Sequence, residues 1–101
     1  MERRSGLRRG GTHLSVLLSD AEGKVRPVRG VIIDRSVGGL AVAVDEPIRL
    51  GEVLSVRVAA NCHEMPWVQV AVRNFRREGG YYLLGCQFLR PQPWSILLLF
   101  G

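Results

Sequence analysis

Nine residues, Leu40, Val42, Val44, Leu54, Val56, Val58, Val68, Val70 and Val72, form three runs in which every second position is a large aliphatic side chain. A period of two belongs to a strand with one buried face, because successive side chains of a strand point to opposite sides of the sheet. An amphipathic helix needs spacings of three and four, which these runs lack. Valine dominates them, and its β-branched side chain suits a pleated surface better than a helix. The positions between are small or polar: Ala41 and Ala43 in the first run, Ser55 and Arg57 in the second, and Gln69 in the third, which Arg73 follows. Three strands that each bury one face against a common core follow from this pattern.

Further strands surround them. His13 to Ser19 reads as a short apolar strand, and Val25 to Ile33 as a second, with Pro27 tolerated near an edge or bulge. A turn containing Gly23 separates the two at Asp20–Lys24. Asp34-Arg35-Ser36-Val37-Gly38-Gly39 is a polar, glycine-bearing loop leading into the Leu40–Val44 run, and Asp45–Glu52 has turn composition. Strands at Val53–Ala59, Trp67–Phe75 and Tyr81–Phe88 follow, the last two joined by the hairpin signal Glu78-Gly79-Gly80. After Pro91 and Pro93, Trp94 to Phe100 is an apolar piece that reads as a last strand or as a helix with Pro93 at its start. It is apolar enough to require docking on the barrel or on a following segment. The prediction is an all-β fold: a small antiparallel barrel of six to seven strands, a closure that removes exposed strand edges.

The 101 residues suffice for one core but not two, and 47% apolar composition is that of a globular domain. The longest apolar run, Ile96–Phe100, falls far short of the roughly 20 residues a membrane span needs. No charged stretch leads into an apolar one at the start, so a cytoplasmic location is expected. Cys62 and Cys86 are too few for a disulfide scaffold. Their spacing with His13 and His63 matches no zinc finger or ribbon, so neither metal nor cofactor is expected and the cysteines read as buried or half-buried free thiols.

The formal net charge of +5 is unevenly placed, with Arg3, Arg4, Arg8 and Arg9 in the first nine residues against the single acid Glu2. Such an arm suits an anionic partner: nucleic acid, membrane phosphates or a phosphorylated small molecule; an inert solubilising tail explains the charge equally well. Catalytic patterns are absent. His13 and His63 lack a legible nucleophile and acid, and the only acidic pair, Asp45-Glu46, fits a solvated turn. There is no phosphate-binding G-x-x-x-x-G-K-S/T loop and no dinucleotide fingerprint. The expectation is a binding domain, not an enzyme.

Two features taken together narrow this further. Arg4-Ser5-Gly6-Leu7-Arg8 places two arginines four apart just before the first strand, and Asp34-Arg35-Ser36-Val37-Gly38-Gly39 joins two strands. The pair resembles the two-part signature of PilZ domains, R-x-x-x-R followed by D/N-x-S-x-x-G. Arg4 and Arg8 match the first part; Asp34, Ser36 and Gly39 match the second. The Val37-to-Val42 stretch, the Leu50-Gly51-Glu52 turn and Leu84-Gly85-Cys86-Gln87-Phe88 also look like PilZ landmarks in the family's order. The closing Leu97-Leu98-Leu99-Phe100-Gly101 is similar to the end of the PilZ domain in bacterial cellulose synthase subunits.

The resemblance implies a PilZ-like barrel over residues 12–101, a flexible arginine-rich arm over residues 1–11, and cyclic di-GMP as ligand. Arg4 and Arg8 would clamp it, Asp34 and Ser36 would contact one guanine, and Gly38 and Gly39 would allow a sharp turn and a close backbone approach. Arg3, Arg9 and Arg35 would serve as secondary phosphate or surface contacts. Arginine suits this work because its planar fork of donors meets a phosphate, or the adjacent N7 and O6 acceptors of guanine, in bidentate fashion. Ligand binding would draw the arm onto the barrel and signal to a partner protein or fused domain. Two other readings are a degenerate PilZ-like module used for protein contacts and a basic β-barrel binding single-stranded nucleic acid. The intact arginine and Asp-x-Ser pattern argues against the first, and the second predicts affinity for any oligonucleotide, steeply dependent on salt. Trp67, Tyr81, Tyr82 and Trp94 are expected as barrel or docking aromatics before ligand-stacking ones.

Overall fold

A computed structural model describes residues 14–20, 27–60 and 65–100. Six strands close into an antiparallel barrel: β1 (Leu14–Asp20), β2 (Val28–Arg35), β3 (Gly39–Val44), β4 (Val53–Val58), β5 (Val68–Glu78) and β6 (Tyr81–Phe88). Around the barrel the order is β1-β2-β3-β6-β5-β4, with β4 returning to β1. The chain therefore meanders through its first three strands, crosses one barrel end through residues 45–52, and lays β4 beside β1. The β5–β6 hairpin fills the remaining gap, with Gly79 at its tip in the left-handed region (φ +44°) that glycine adopts without steric cost.

The period-two runs form the core. All nine of their large aliphatic residues are buried, joined by Val16 and Leu18 of β1, Ile32 of β2, and Leu84, Cys86 and Phe88 of β6. The interior of so small a barrel is only wide enough for side chains, which compact branched residues fill without voids.

Two strands depart from strict pairing. Between Ile32 and Asp34 the β2–β3 register shifts, leaving Ile33 as an extra residue, and between Val72 and Asn74 the β5–β6 register shifts around Arg73. Such bulges bend the strand and re-aim the side chains beyond them. Because of the first one, β2 continues through Asp34 and Arg35, and Gly39 already belongs to β3. The six-residue loop expected at Asp34–Gly39 is thus a short turn at Ser36–Gly38. The second strand starts at Val28, with Pro27 outside it, and β5 runs on to Glu78, past the Phe75 boundary that alternation predicts.

The C-terminal segment is helical. Pro93 occupies the N-cap position (φ −71°, ψ 158°) of α1 (Trp94–Leu97), and a 3-10 turn continues through Phe100. Leu97 and Phe100 join the barrel core, whereas Trp94 and Leu98 are exposed. The segment therefore docks on the barrel by one face only.

Phe100 is almost wholly buried. Its truncation to alanine removes the largest side chain that the helical segment contributes to the core. Phe100→Ala is expected to lower unfolding stability by about 3–5 kcal/mol, read as a reduced urea midpoint. A midpoint equal to wild type would show that the segment is not part of the cooperative core.

Candidate ligand-binding site

The turn between β2 and β3 is held by the backbone. The Ser36 N–H donates to the Gly39 carbonyl at 2.9 Å across the Val37–Gly38 tip, and the Phe88 N–H at the end of β6 donates to the Gly38 carbonyl at 2.9 Å. The Ser36 hydroxyl lies 3.5 Å from the Gly39 carbonyl, too long to commit it to that acceptor. Asp34 Oδ1 accepts the N–H of Arg35 at 2.8 Å, which orients the carboxylate at the protein surface. Val37 stands out at the tip, 68% exposed.

Glycine at position 39 is required by a close approach. A Cβ there would fall 1.9 Å from the Cys86 carbonyl oxygen and 3.1 Å from Gln87 Cα, both in the backbone of β6. The reason is packing between strands and not a left-handed turn, since neither Gly38 nor Gly39 has positive φ. At Gly38 nothing lies within 4 Å of the corresponding position, so steric crowding does not require glycine there.

Next to this turn lies an open cleft of about 300 Å³. Asp34, Arg35, Ser36, Gly38, Gly39 and Ala41 line one side; Arg73, Asn74, Gly85 and Gln87 of the β5–β6 hairpin line the other. The structure thus brings together Asp34, Ser36 and Gly39 with the secondary candidates Arg35 and Gly38. Arg4 and Arg8, with Arg3 and Arg9, lie outside the described residues. Leu14 is the first of those described, and it pairs with Ile32, two residues before Asp34. The start of β1 therefore lies at the barrel end that carries the cleft.

Of the lining residues that the sequence does not mark as site residues, three carry polar side chains: Arg73, Asn74 and Gln87. Arg73 Nε donates to Gln87 Oε1 at 2.8 Å, which holds its guanidinium over the cleft wall. No local motif marks Arg73 or Asn74, which reach the cleft through the β5 bulge, and the Leu84–Phe88 landmark carries no site role for Gln87. The aromatics lie elsewhere. Trp67 stacks under the Arg57 guanidinium (4.4 Å to the ring centroid), Tyr82 packs edge-on to Phe75, and Trp94 projects from α1.

Cys86 also borders the cleft, through its strand, but its side chain is buried in the barrel core. Burial pushes its thiol from 9.0 up to about 12. His13, Cys62 and His63 lie outside the described residues. Among the described residues no group of three or more potential metal ligands occurs, and no helix is long and apolar enough to cross a membrane.

The described residues thus form a closed barrel with a polar, arginine-bearing cleft beside a backbone-locked turn. The chain belongs to the PilZ domain family, whose profile matches residues 2–99, nearly its whole length. PilZ domains are generally cyclic di-GMP-binding modules, not enzymes. A comparison with curated proteins returns no significant match.

Two outcomes follow from these contacts. Gly39→Ala is expected to force β3 away from β6, lowering stability and widening the cleft; an unchanged thermal midpoint would refute the close approach. For Cys86, a raised folded-state value means that its stabilising effect is complete below the unfolded-state value near 9 and is lost as pH climbs towards about 12. In a Cys62→Ser variant, iodoacetamide at pH 8 should therefore label Cys86 only after denaturant is added, and rapid labelling of the native protein would contradict its burial.

Proposed function

We propose that this chain is a cyclic di-GMP receptor domain in which Arg4 and Arg8 of an N-terminal arm over residues 1–11 close over a ligand seated in the cleft of the 12–101 barrel. The observation that carries this reading is the convergence of Asp34, Ser36 and Gly39 in one cleft, at the barrel end where β1 begins. The Asp34 carboxylate suits the N1–H and N2–H₂ edge of guanine, and the uncommitted Ser36 hydroxyl can donate or accept. Arg35 and Arg73 add positive charge to the cleft wall, favouring the ligand's phosphates. Arg3 and Arg9 serve as further phosphate contacts.

A volume of about 300 Å³ lies at the bottom of the usual range for small-molecule sites, roughly 300–1,000 Å³. The cleft by itself holds part of a dinucleotide, and the arm supplies the missing wall. Ordering that arm costs entropy but converts binding into a change of surface that a partner protein or fused domain can read. The domain performs no catalysis in this reading and acts in the cytoplasm.

Calorimetric titration tests it. Wild-type protein should bind cyclic di-GMP in preference to cyclic di-AMP, GTP and a single-stranded oligonucleotide. Arg4→Ala and Arg8→Ala should each abolish binding with an unchanged circular dichroism spectrum, and Asp34→Ala and Ser36→Ala should each weaken it by about 1–3 kcal/mol. Unaltered affinity in both arginine variants refutes the clamp, and equal affinity for any oligonucleotide with steep salt dependence supports a nucleic-acid-binding barrel instead.

A further inference from the structure

Opposite Asp34, on the far wall of the cleft, stands a side chain whose chemistry complements it. Cross-strand pairing sets Asp34 of β2 against Ala41 of β3, Ala41 against Gly85 of β6, and Gly85 against Asn74 of β5. Both ends of this row owe their place to a bulge. Without the extra residue Ile33, position 33 and not Asp34 would face Ala41; without the extra residue Arg73, an arginine and not Asn74 would face Gly85. The two bulges thus bring a carboxylate and a carboxamide to opposite ends of one row across the cleft.

The Asn74 carboxamide leans inward, over Gly85. A Cβ on Gly85 would lie 2.5 Å from Asn74 Oδ1 and 2.9 Å from Nδ2, so the missing side chain of Gly85 is the space that the carboxamide fills. Neither polar atom of that carboxamide is committed to a hydrogen bond among the described residues. It is an exposed pair of donor and acceptor groups beside Arg73, whose own Nε is engaged by Gln87.

We infer that Asn74 is a base-reading residue of this cleft, donating its Nδ2–H to the O6 or N7 acceptor of the guanine whose opposite edge Asp34 holds. The inference rests on the receptor reading above. A guanine offers donors at N1 and N2 and acceptors at O6 and N7. A carboxylate can serve only the first edge, and an amide N–H only the second. Adenine carries an amino group where guanine carries O6, and an unprotonated N1 acceptor that opposes the Asp34 carboxylate. Asp34 and Asn74 together select guanine from two sides.

The test compares wild type, Asn74→Ala and Asn74→Asp by calorimetry against cyclic di-GMP and cyclic di-AMP, with circular dichroism as the check of fold. Asn74 is exposed, so both variants should fold. Alanine removes the donor and should weaken cyclic di-GMP binding about tenfold. Aspartate places acceptors against the guanine acceptors but can accept from an adenine amino group. It should weaken cyclic di-GMP binding more than alanine does, and shrink the preference over cyclic di-AMP at least tenfold. If wild type binds and both variants keep its affinity and preference, this inference fails and the receptor reading stands. Equal losses for alanine and aspartate with unchanged preference also overturn it, because they assign Asn74 a shape role. Wild-type protein that binds neither dinucleotide overturns the receptor reading and this inference together.

Discussion

The pairing of β1 with β4, from Val16↔Val58 to Asp20↔Leu54, is the interaction on which the other features depend. Without it the sheet would expose two unpaired edges and open its interior to water. With it, each strand has two neighbours and every inward side chain faces a narrow, dry space. That narrowness accounts for the choice of valine along β3, β4 and β5. Closure also leaves two barrel ends, and apolar interiors need covering there as well. Leu97 and Phe100 enter the core without belonging to any strand, so the short helical segment contributes cover that the barrel wall cannot.

The same closure makes the cleft rigid on one side. The β2–β3 turn is not a free loop, because Gly38 accepts a hydrogen bond from Phe88 and Gly39 packs against the Cys86 backbone. Cys86 and Phe88 themselves belong to the core, so a displacement of the turn disturbs core packing. Asp34 and Ser36 flank this anchored segment and inherit its position. A polar contact held in advance costs a ligand less ordering than one made by a mobile loop.

Much of this is legible in the residues, and the misses at Asp34 and Asn74 share one cause. The period-two runs, the Glu78-Gly79-Gly80 turn and the apolar piece after Pro93 are local signals, and each appears where local rules place it. The bulges at Ile33 and Arg73 are not local. A strand with one extra residue still alternates on each side of the insertion, and only its partner reveals the shift. Alternation alone therefore ends β2 before Asp34 and stops β5 at Phe75, and nothing local marks Asn74. Glycine at position 39 is expected from the motif to allow a sharp turn, but it has no positive φ and instead makes room for the neighbouring strand.

The charge distribution makes sense in the same terms. An arginine clamp on a rigid strand would need the cleft deep enough to reach both faces of its ligand, but this cleft is shallow and open. Its own cations, Arg35 and Arg73, stand on the walls, and Arg73 is already tethered to Gln87. On the receptor reading, the remaining contacts must come from outside the barrel. The first strand begins beside Ile32, at the same barrel end as the cleft. On that reading the strands would discriminate the base, and the arginines would supply affinity for the phosphates.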